Sequence, residues 1–173
     1  MRTKNRVNKI LIAALLLLSG TVYAQRDTIL LKTGWVFSID KKGEGVGNKW
    51  FAGALPNARS VQLPHTWNIE AESENHYGWG WYQRKLEIPA NWKNKNVVVR
   101  FGAINHSSFI YLNGEKIGEH IGDGFNSFTL NLTSKLKYGK VNSITIAVNN
   151  DYGRNKVPFG SSFDWPNDGG LIR

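Results

Sequence analysis

The stretch SFIYLNGEKIGE, residues 108–119, decides the fold class of this chain. Asn113 and Gly114 separate two short runs of strand length. Both residues tolerate a positive φ, and an Asn-Gly pair between two such runs is the strongest short-range signal for a β-hairpin. The stretch therefore predicts two antiparallel strands, Ser108–Leu112 and Glu115–Glu119, joined by a two-residue turn.

The sequence on either side of this hairpin continues the pattern. Ser143–Val148 alternates polar and apolar residues with a period of two, and Val97–Phe101 is a β-branched run. Tyr82–Ile88, which Pro89 closes, and Phe128–Leu132 are further predicted strands. Turn residues punctuate the chain regularly, and no window has a long 3.6-residue period. The chain is therefore predicted to be all-β, an antiparallel β-sandwich or jelly roll.

The first 24 residues have the features of a secretory signal peptide. Four basic residues precede a nine-residue apolar run, residues 10–18, and Val22-Tyr23-Ala24 forms a small-x-Ala cleavage site. The apolar run is shorter than the about 20 residues that span a bilayer. We expect cleavage before Gln25, no membrane segment afterwards, and a periplasmic or extracellular location.

Composition narrows the function classes. Removing 24 of the 173 residues leaves 149, which is one domain large enough for its own core. The formal net charge of +9 falls to +5 without the four basic residues of the leader, and no Lys/Arg-rich run remains. We therefore expect no nucleic-acid partner. Without cysteine the fold depends on core burial alone, and thiolate metal sites are excluded.

No pattern in the sequence indicates catalysis or a cofactor. A G-x-S-x-G nucleophile elbow and an HExxH zinc motif are both absent. The glycines of KKGEGVGNKW, residues 41–50, lack the βαβ context of a dinucleotide site. The four histidines have no zinc-ligand spacing, so we predict structural or surface roles for His65, His76, His106 and His120.

The aromatic residues are more informative. The chain has seven tryptophans, and indole faces stack on the apolar faces of sugar rings. Most tryptophans are expected in the core. Trp79 and Trp165 have Gly or Pro neighbours, so we predict that these two are exposed on loops.

Five motifs in a fixed order carry a resemblance to a known family. The chain resembles the N-terminal sugar-binding domain of glycoside hydrolase family 2, which includes β-galactosidases, β-glucuronidases and β-mannosidases. The resemblance covers nearly all of residues 30–173. The motifs are Leu63–Trp67, Gly80–Arg84, Ile110–His120, Val148–Asn150, and Asp164-Trp165 with Gly169–Arg173.

This resemblance implies a galactose-binding-like jelly roll that precedes an immunoglobulin-like domain and a (β/α)8 barrel. In the family the barrel carries both catalytic glutamates, so this chain alone is expected to be inactive. Its implied partners are a carbohydrate, a β-galactoside or related glycan, and the downstream domains of the same enzyme. We expect residues 25–173 to form the sandwich domain, truncated at its last strand, with a frayed and partly unpaired edge there.

The resemblance also supplies site residues. In the galactosidase branch an Asp before the last strand reaches the sugar subsite of the barrel, and Asp164 matches it. Asp168 is a weaker match, and Trp165 and Trp79 are the predicted stacking residues. Asp164 could equally cap a turn, since Asp bonds readily to its own backbone. Thr66 departs from the family, which commonly has an acid there.

Three functions remain open at this point. The first is the non-catalytic domain of an exported family 2 exo-β-glycosidase, with a galactoside favoured by the Asp164 match and a glucuronide or mannoside still possible. The second is a free-standing carbohydrate-binding module. The third is a structural or protein-interaction sandwich, which the fold alone would permit.

Overall fold

The computed structural model describes residues 26–153 and 166–173. The chain divides into two compact units, Met1–Leu30 and Leu31–Arg173. In the first unit the described residues, 26–30, have no regular secondary structure. Across the described part of the chain, no helix is both long and apolar enough to cross a membrane.

The second unit is almost entirely β-structure. Three 3₁₀ turns, Trp50–Ala52, Trp67–Ile69 and Ala90–Trp92, are the helical elements of its described residues. Its strands are β1 (Trp35–Asp40), β2 (Arg59–Val61), β3 (His65–Thr66), β4 (Trp79–Glu87), β5 (Val98–Phe101), β6 (Ile104–Asn105), β7 (Ser107–Leu112), β8 (Glu115–His120), β9 (Phe128–Asn131), β10 (Val141–Asn149) and β11 (Gly170–Leu171).

A six-stranded antiparallel sheet forms one layer, in the order β2-β1-β4-β10-β7-β8. The predicted hairpin lies at one edge as β7 and β8. Its turn residues, Asn113 and Gly114, have φ values of 54° and 85°. These left-handed values match the twist of the flanking strands, so the turn chemistry predicted from the sequence is confirmed.

Two smaller sheets, β3-β11-β6 and β5-β9, form the opposing layer. Between the layers lies the main core, to which β1, β4, β7 and β10 contribute alternate residues and β2 and β8 one residue each. Ile144, Ile146 and Val148 of β10 are fully buried there, as is Tyr82 of β4. The predicted antiparallel β-sandwich is therefore confirmed.

A second apolar cluster covers the outer face of the six-stranded sheet. Trp81 is fully buried there, although it alternates with the core residues of β4. The segment 41–58 folds over this face, with Trp50 5.8 Å from the Trp81 ring. Asp40 holds the start of the segment because its carboxylate accepts from the Glu44 and Gly45 N–H groups and from Trp81 Nε1, at 3.0, 2.8 and 3.2 Å.

The expectation of a frayed last strand is wrong. β11 is the middle strand of its sheet, and Gly170 pairs with Thr66 on one side and with Asn105 on the other. Leu171 is 3% exposed and belongs to the main core. β11 therefore has hydrogen-bonded partners on both edges.

The strand β1 was not predicted. In WVFSID the residues Trp35, Phe37 and Ile39 face the core, but Val36 is also apolar and packs on the outer cluster. Because both faces of this strand are covered, its polar–apolar alternation is weak.

Candidate functional site

The structure describes two of the four predicted sugar contacts. Asp164 and Trp165 lie outside the described residues. Asp168 lies in residues 166–169, the segment that leads into β11 and is called here the approach segment. Trp79 is the first residue of β4. The described part of the candidate site is therefore the approach segment and the residues that contact it.

Two buried asparagines hold the approach segment against the end of β10. Nδ2 of Asn150 donates to the carbonyl oxygen of Asn167 at 2.8 Å, and Nδ2 of Asn167 donates to the carbonyl oxygen of Asn150 at 2.5 Å. Both residues have no exposed surface. This reciprocal pair joins backbone positions that are 17 residues apart in the sequence.

Two further asparagines complete the arrangement. Oδ1 of Asn68 accepts from Asn150 Nδ2 at 3.0 Å and from the Gly169 N–H at 2.8 Å. Nδ2 of Asn105 donates to Asn167 Oδ1 at 3.1 Å and to the Asp168 carbonyl at 2.6 Å. An amide side chain can link several segments in this way because its nitrogen donates hydrogen bonds and its oxygen accepts them. We call Asn68, Asn105, Asn150 and Asn167 the asparagine framework.

Trp67 supports the approach segment from the core side. Its indole is fully buried, and its Nε1 donates to the His76 carbonyl at 3.1 Å. A Cβ atom on Gly169 would come within 2.0 Å of the indole, and one on Gly80 within 2.8 Å. The ring therefore fits only because glycine stands at both positions.

Two tyrosines neighbour residues that the asparagine framework joins to the approach segment: Tyr77 precedes Gly78, whose N–H donates to Asn150, and Tyr152 follows Asn150 by two positions. The rings of Tyr77 and Tyr152 are 5.1 Å apart. The hydrogen bond to Tyr152 raises the pKa of Tyr77, with smaller contributions from burial and from the charges of Tyr152 and Asp168. Burial also raises the pKa of the Asp168 carboxyl. A carboxylate and two phenols provide the mixed apolar and hydrogen-bonding surface typical of sugar sites.

The predicted loop position of Trp79 is wrong. Trp79 belongs to β4 and packs in the outer cluster, where its ring lies 5.4 Å from that of Phe109. Lys116 Nζ lies 4.1 Å from the centroid of the same Phe109 ring. Two glycines flank Trp79 because Gly80 must admit Trp67 and Gly78 has a φ of 156°, not because the segment is a loop. The structure thus places Trp79 and Asp168 in different surroundings.

An open cleft of about 300 Å³ lies against the loop that Asn68 organises. Its lining consists of Lys41 and residues 71–76. Nδ2 of Asn68 donates to the carbonyls of Glu74 and His76 at 3.0 Å each. One framework residue therefore joins this loop to the approach segment.

His65 has a structural role, as the sequence predicted. Its Nε2 lies 3.1 Å from Glu70 Oε1, and its Nδ1 lies 2.6 Å from the Tyr82 hydroxyl. A carboxylate only accepts, so Nε2 carries the proton and neutral Nδ1 accepts from Tyr82. Burial, the largest influence, lowers the pKa of His65, although Glu70 acts in the opposite direction. Within residues 26–153 and 166–173, no group of three His, Asp or Glu side chains could hold a metal ion.

The sequence prediction missed the asparagine framework and both tyrosines. Asn150 belonged to the family resemblance, but nothing local showed that its amide would meet Asn167. The available signal was the Asn149-Asn150 pair, because two polar residues after an alternating strand mark the end of that strand.

Comparison with known proteins decides the family. The sequence profile for "Glycosyl hydrolases family 2, sugar binding domain" matches residues 30–157. The chain belongs to this family. The resemblance inferred from the five motifs is confirmed.

The relatives of this family 2 domain are glycosidases. The Beta-glucuronidase of Bacteroides fragilis is 32% identical over 163 residues, which cover 92% of this chain and 21% of the relative. The Beta-galactosidase of Thermoanaerobacter pseudethanolicus is 30% identical over 121 residues, which cover 69% of this chain and 16% of the relative.

Solved structures show the same fold. Ruminococcus gnavus Beta-glucuronidase superposes with a TM-score of 0.77 at 27% identity, over 87% of this chain and 28% of that one. Its complex with D-glucuronic acid also gives 0.77, at 26% identity, over 87% and 29%. The chain thus spans less than a third of the length of these relatives.

Proposed function

We propose that this domain is the non-catalytic sugar-binding domain of an exported exo-β-glycosidase. It takes part in carbohydrate degradation by completing the sugar subsite of a catalytic barrel on the same polypeptide, next to an immunoglobulin-like domain. The observation that carries the proposal is the approach segment, which contains Asp168 and which the buried amides of Asn150 and Asn167 hold against the end of β10. Asp164 and Trp165, just before that segment, are the proposed direct contacts.

A β-glucuronide is the substrate class that we propose first. The B. fragilis relative and the R. gnavus structures carry the name Beta-glucuronidase. A β-galactoside is the second candidate, because of the Asp164 match and the T. pseudethanolicus relative named Beta-galactosidase. The basic n-region, apolar run and cleavage site of residues 1–24 support export.

The test uses the complete reading frame that contains this domain. We expect its product to hydrolyse p-nitrophenyl β-D-glucuronide faster than the galactoside. Asp164→Ala is expected to lower kcat/KM at least about tenfold, because a lost hydrogen bond to a charged group is worth about 1.5–3 kcal/mol. Glu115→Ala, which removes an exposed acid on the hairpin, serves as the matched control and should leave kcat/KM unchanged.

Two results would contradict the proposal. One is a reading frame without a downstream barrel. The other is an Asp164→Ala enzyme as active as the Glu115→Ala control. Calorimetric titration of the isolated domain with glycosides separates the free-standing binding module, which should bind a glycan on its own, from the proposed domain, which should bind weakly or not at all.

A further inference from the structure

Tyr77, Tyr152 and Asp168 come from three separate parts of the chain. Tyr77 precedes β4, Tyr152 follows β10, and Asp168 precedes β11. Each lies one or two residues from a backbone group bonded within the asparagine framework. Their common surface therefore depends on how that framework joins the three segments.

Asn150 belongs to the segment of Tyr152 and bonds to the other two segments. Its Oδ1 accepts from the Gly78 N–H at 2.9 Å, and its own N–H donates to the Gly78 carbonyl at 3.1 Å, next to Tyr77. Its Nδ2 donates to the Asn167 carbonyl at 2.8 Å, next to Asp168. Tyr152 follows it by two positions. One buried residue thus connects the segments that carry Tyr77, Tyr152 and Asp168.

We propose that Tyr77, Tyr152 and Asp168 form a contact surface for the hydroxyl groups of a pyranoside and that Asn150 is its positioning residue. The tyrosine rings provide apolar contact while their hydroxyls and the carboxylate exchange hydrogen bonds with the sugar. The buried, hydrogen-bonded amides of Asn150 and Asn167 favour a single geometry, because an unbonded amide in the interior is costly. The inference deepens the proposed function and rests on it.

The experiment is a double-mutant cycle in the full-length enzyme, with p-nitrophenyl β-D-glucuronide and β-D-galactoside as probes. Tyr77→Phe removes only a hydroxyl, and we expect it to raise KM about three- to tenfold with little change in kcat. Asn150→Asp keeps the acceptor for Gly78 but loses both amide donations, and we expect KM to rise about tenfold. In an Asp168→Ala background the same Asn150→Asp change should raise KM by clearly less than it does alone, because the part of its effect that passes through Asp168 is already lost.

Asn131→Ala is the matched control, since it breaks an exposed amide pair with Asn96 on the β5-β9 sheet. It should leave KM unchanged. Thermal melts of each variant verify that the enzyme is folded at the assay temperature. If Asn150→Asp does not fold, Asn167→Ala replaces it, because that change breaks the reciprocal pair from the other side.

The outcomes separate this inference from the proposed function. Equal effects of Asn150→Asp with and without Asp168 would overturn the positioning role, since a purely structural effect is independent of Asp168. Unchanged KM in Tyr77→Phe and Asn150→Asp, together with an impaired Asp164→Ala enzyme, would overturn this inference and leave the proposed function intact. A normal Asp164→Ala enzyme with a coupled Asn150–Asp168 pair would support the inference and contradict the proposed role of Asp164.

Discussion

At the scale of single residues, the approach segment depends on the absence of side chains. Gly169 and Gly80 both face the Trp67 indole, at distances that exclude a Cβ atom. Trp67 in turn stacks on Phe37 with a centroid separation of 5.7 Å. A methyl group added here would push a ring that the core already surrounds, and cores resist such overpacking.

Gly169→Ala is therefore expected to lower the free energy of unfolding by about 1–3 kcal/mol. Gly53→Ala is the matched control, because a Cβ atom added to Gly53 would have no neighbour within 4 Å and the φ of this residue is −136°. Urea unfolding followed by tryptophan fluorescence measures both variants. Equal stability of the two variants would show that Trp67 adapts without cost.

At the scale of elements, His65 joins the short strand β3 to β4. It accepts from the Tyr82 hydroxyl and donates to Glu70 on the turn after Trp67. Glu70 also forms an ion pair with Arg59 of β2. Burial raises the pKa of Tyr82 well above its ordinary value, which keeps the phenol neutral as a donor. Neutral His65 is the form that satisfies both neighbours.

The lowered pKa of His65 predicts a pH dependence of stability. Below the unfolded-state pKa of about 6.5, the unfolded chain binds a proton that folded His65 resists. The contribution of His65 is therefore complete above about pH 6.5 and is lost as the pH falls toward the folded pKa.

An NMR titration of the His65 imidazole should show a midpoint below that of an unfolded peptide. Glu70→Gln should lower the midpoint further, because the hydrogen bond and charge of Glu70 both raise this pKa. A midpoint at or above 6.5 in the native protein would contradict the argument that burial dominates.

At the scale of the whole molecule, β11 closes the second layer. Although this strand has only two residues, Leu171 lies in the main core and Gly170 pairs with both neighbouring strands. Further backbone hydrogen bonds hold the residues after β11 against the turn between β5 and β6. The Gly102 and Ala103 N–H groups donate to the Arg173 carbonyl at 2.8 and 3.0 Å. The end of the approach segment is therefore anchored in the sandwich.

Leu171→Ala is expected to lower the free energy of unfolding by about 2–5 kcal/mol, through lost burial and the cavity that remains. Ile121→Ala, at a loop position that is 54% exposed, should change it by less than about 0.5 kcal/mol. Chemical denaturation of both variants tests this. A Leu171→Ala loss as small as that of the control would mean that β11 contributes little to the sandwich.

Local residue chemistry was enough to predict much of the fold. Asn113-Gly114 and the period-two pattern of β10 identified strands because turn geometry and side-chain alternation are properties of neighbouring residues. The order of the five motifs identified the family. Local pattern misplaced Trp79, because its flanking glycines serve packing and strand entry rather than a loop.

The sequence by itself determined an all-β chain, its main hairpin and its membership of a sugar-binding family. Only the tertiary structure decided that β11 lies between β3 and β6 and that four asparagines meet around the approach segment. The physical reason is the distance along the sequence between the residues that interact. A turn or an alternating strand depends on adjacent residues, whereas Asn68, Asn105, Asn150 and Asn167 come together only when the two layers pack.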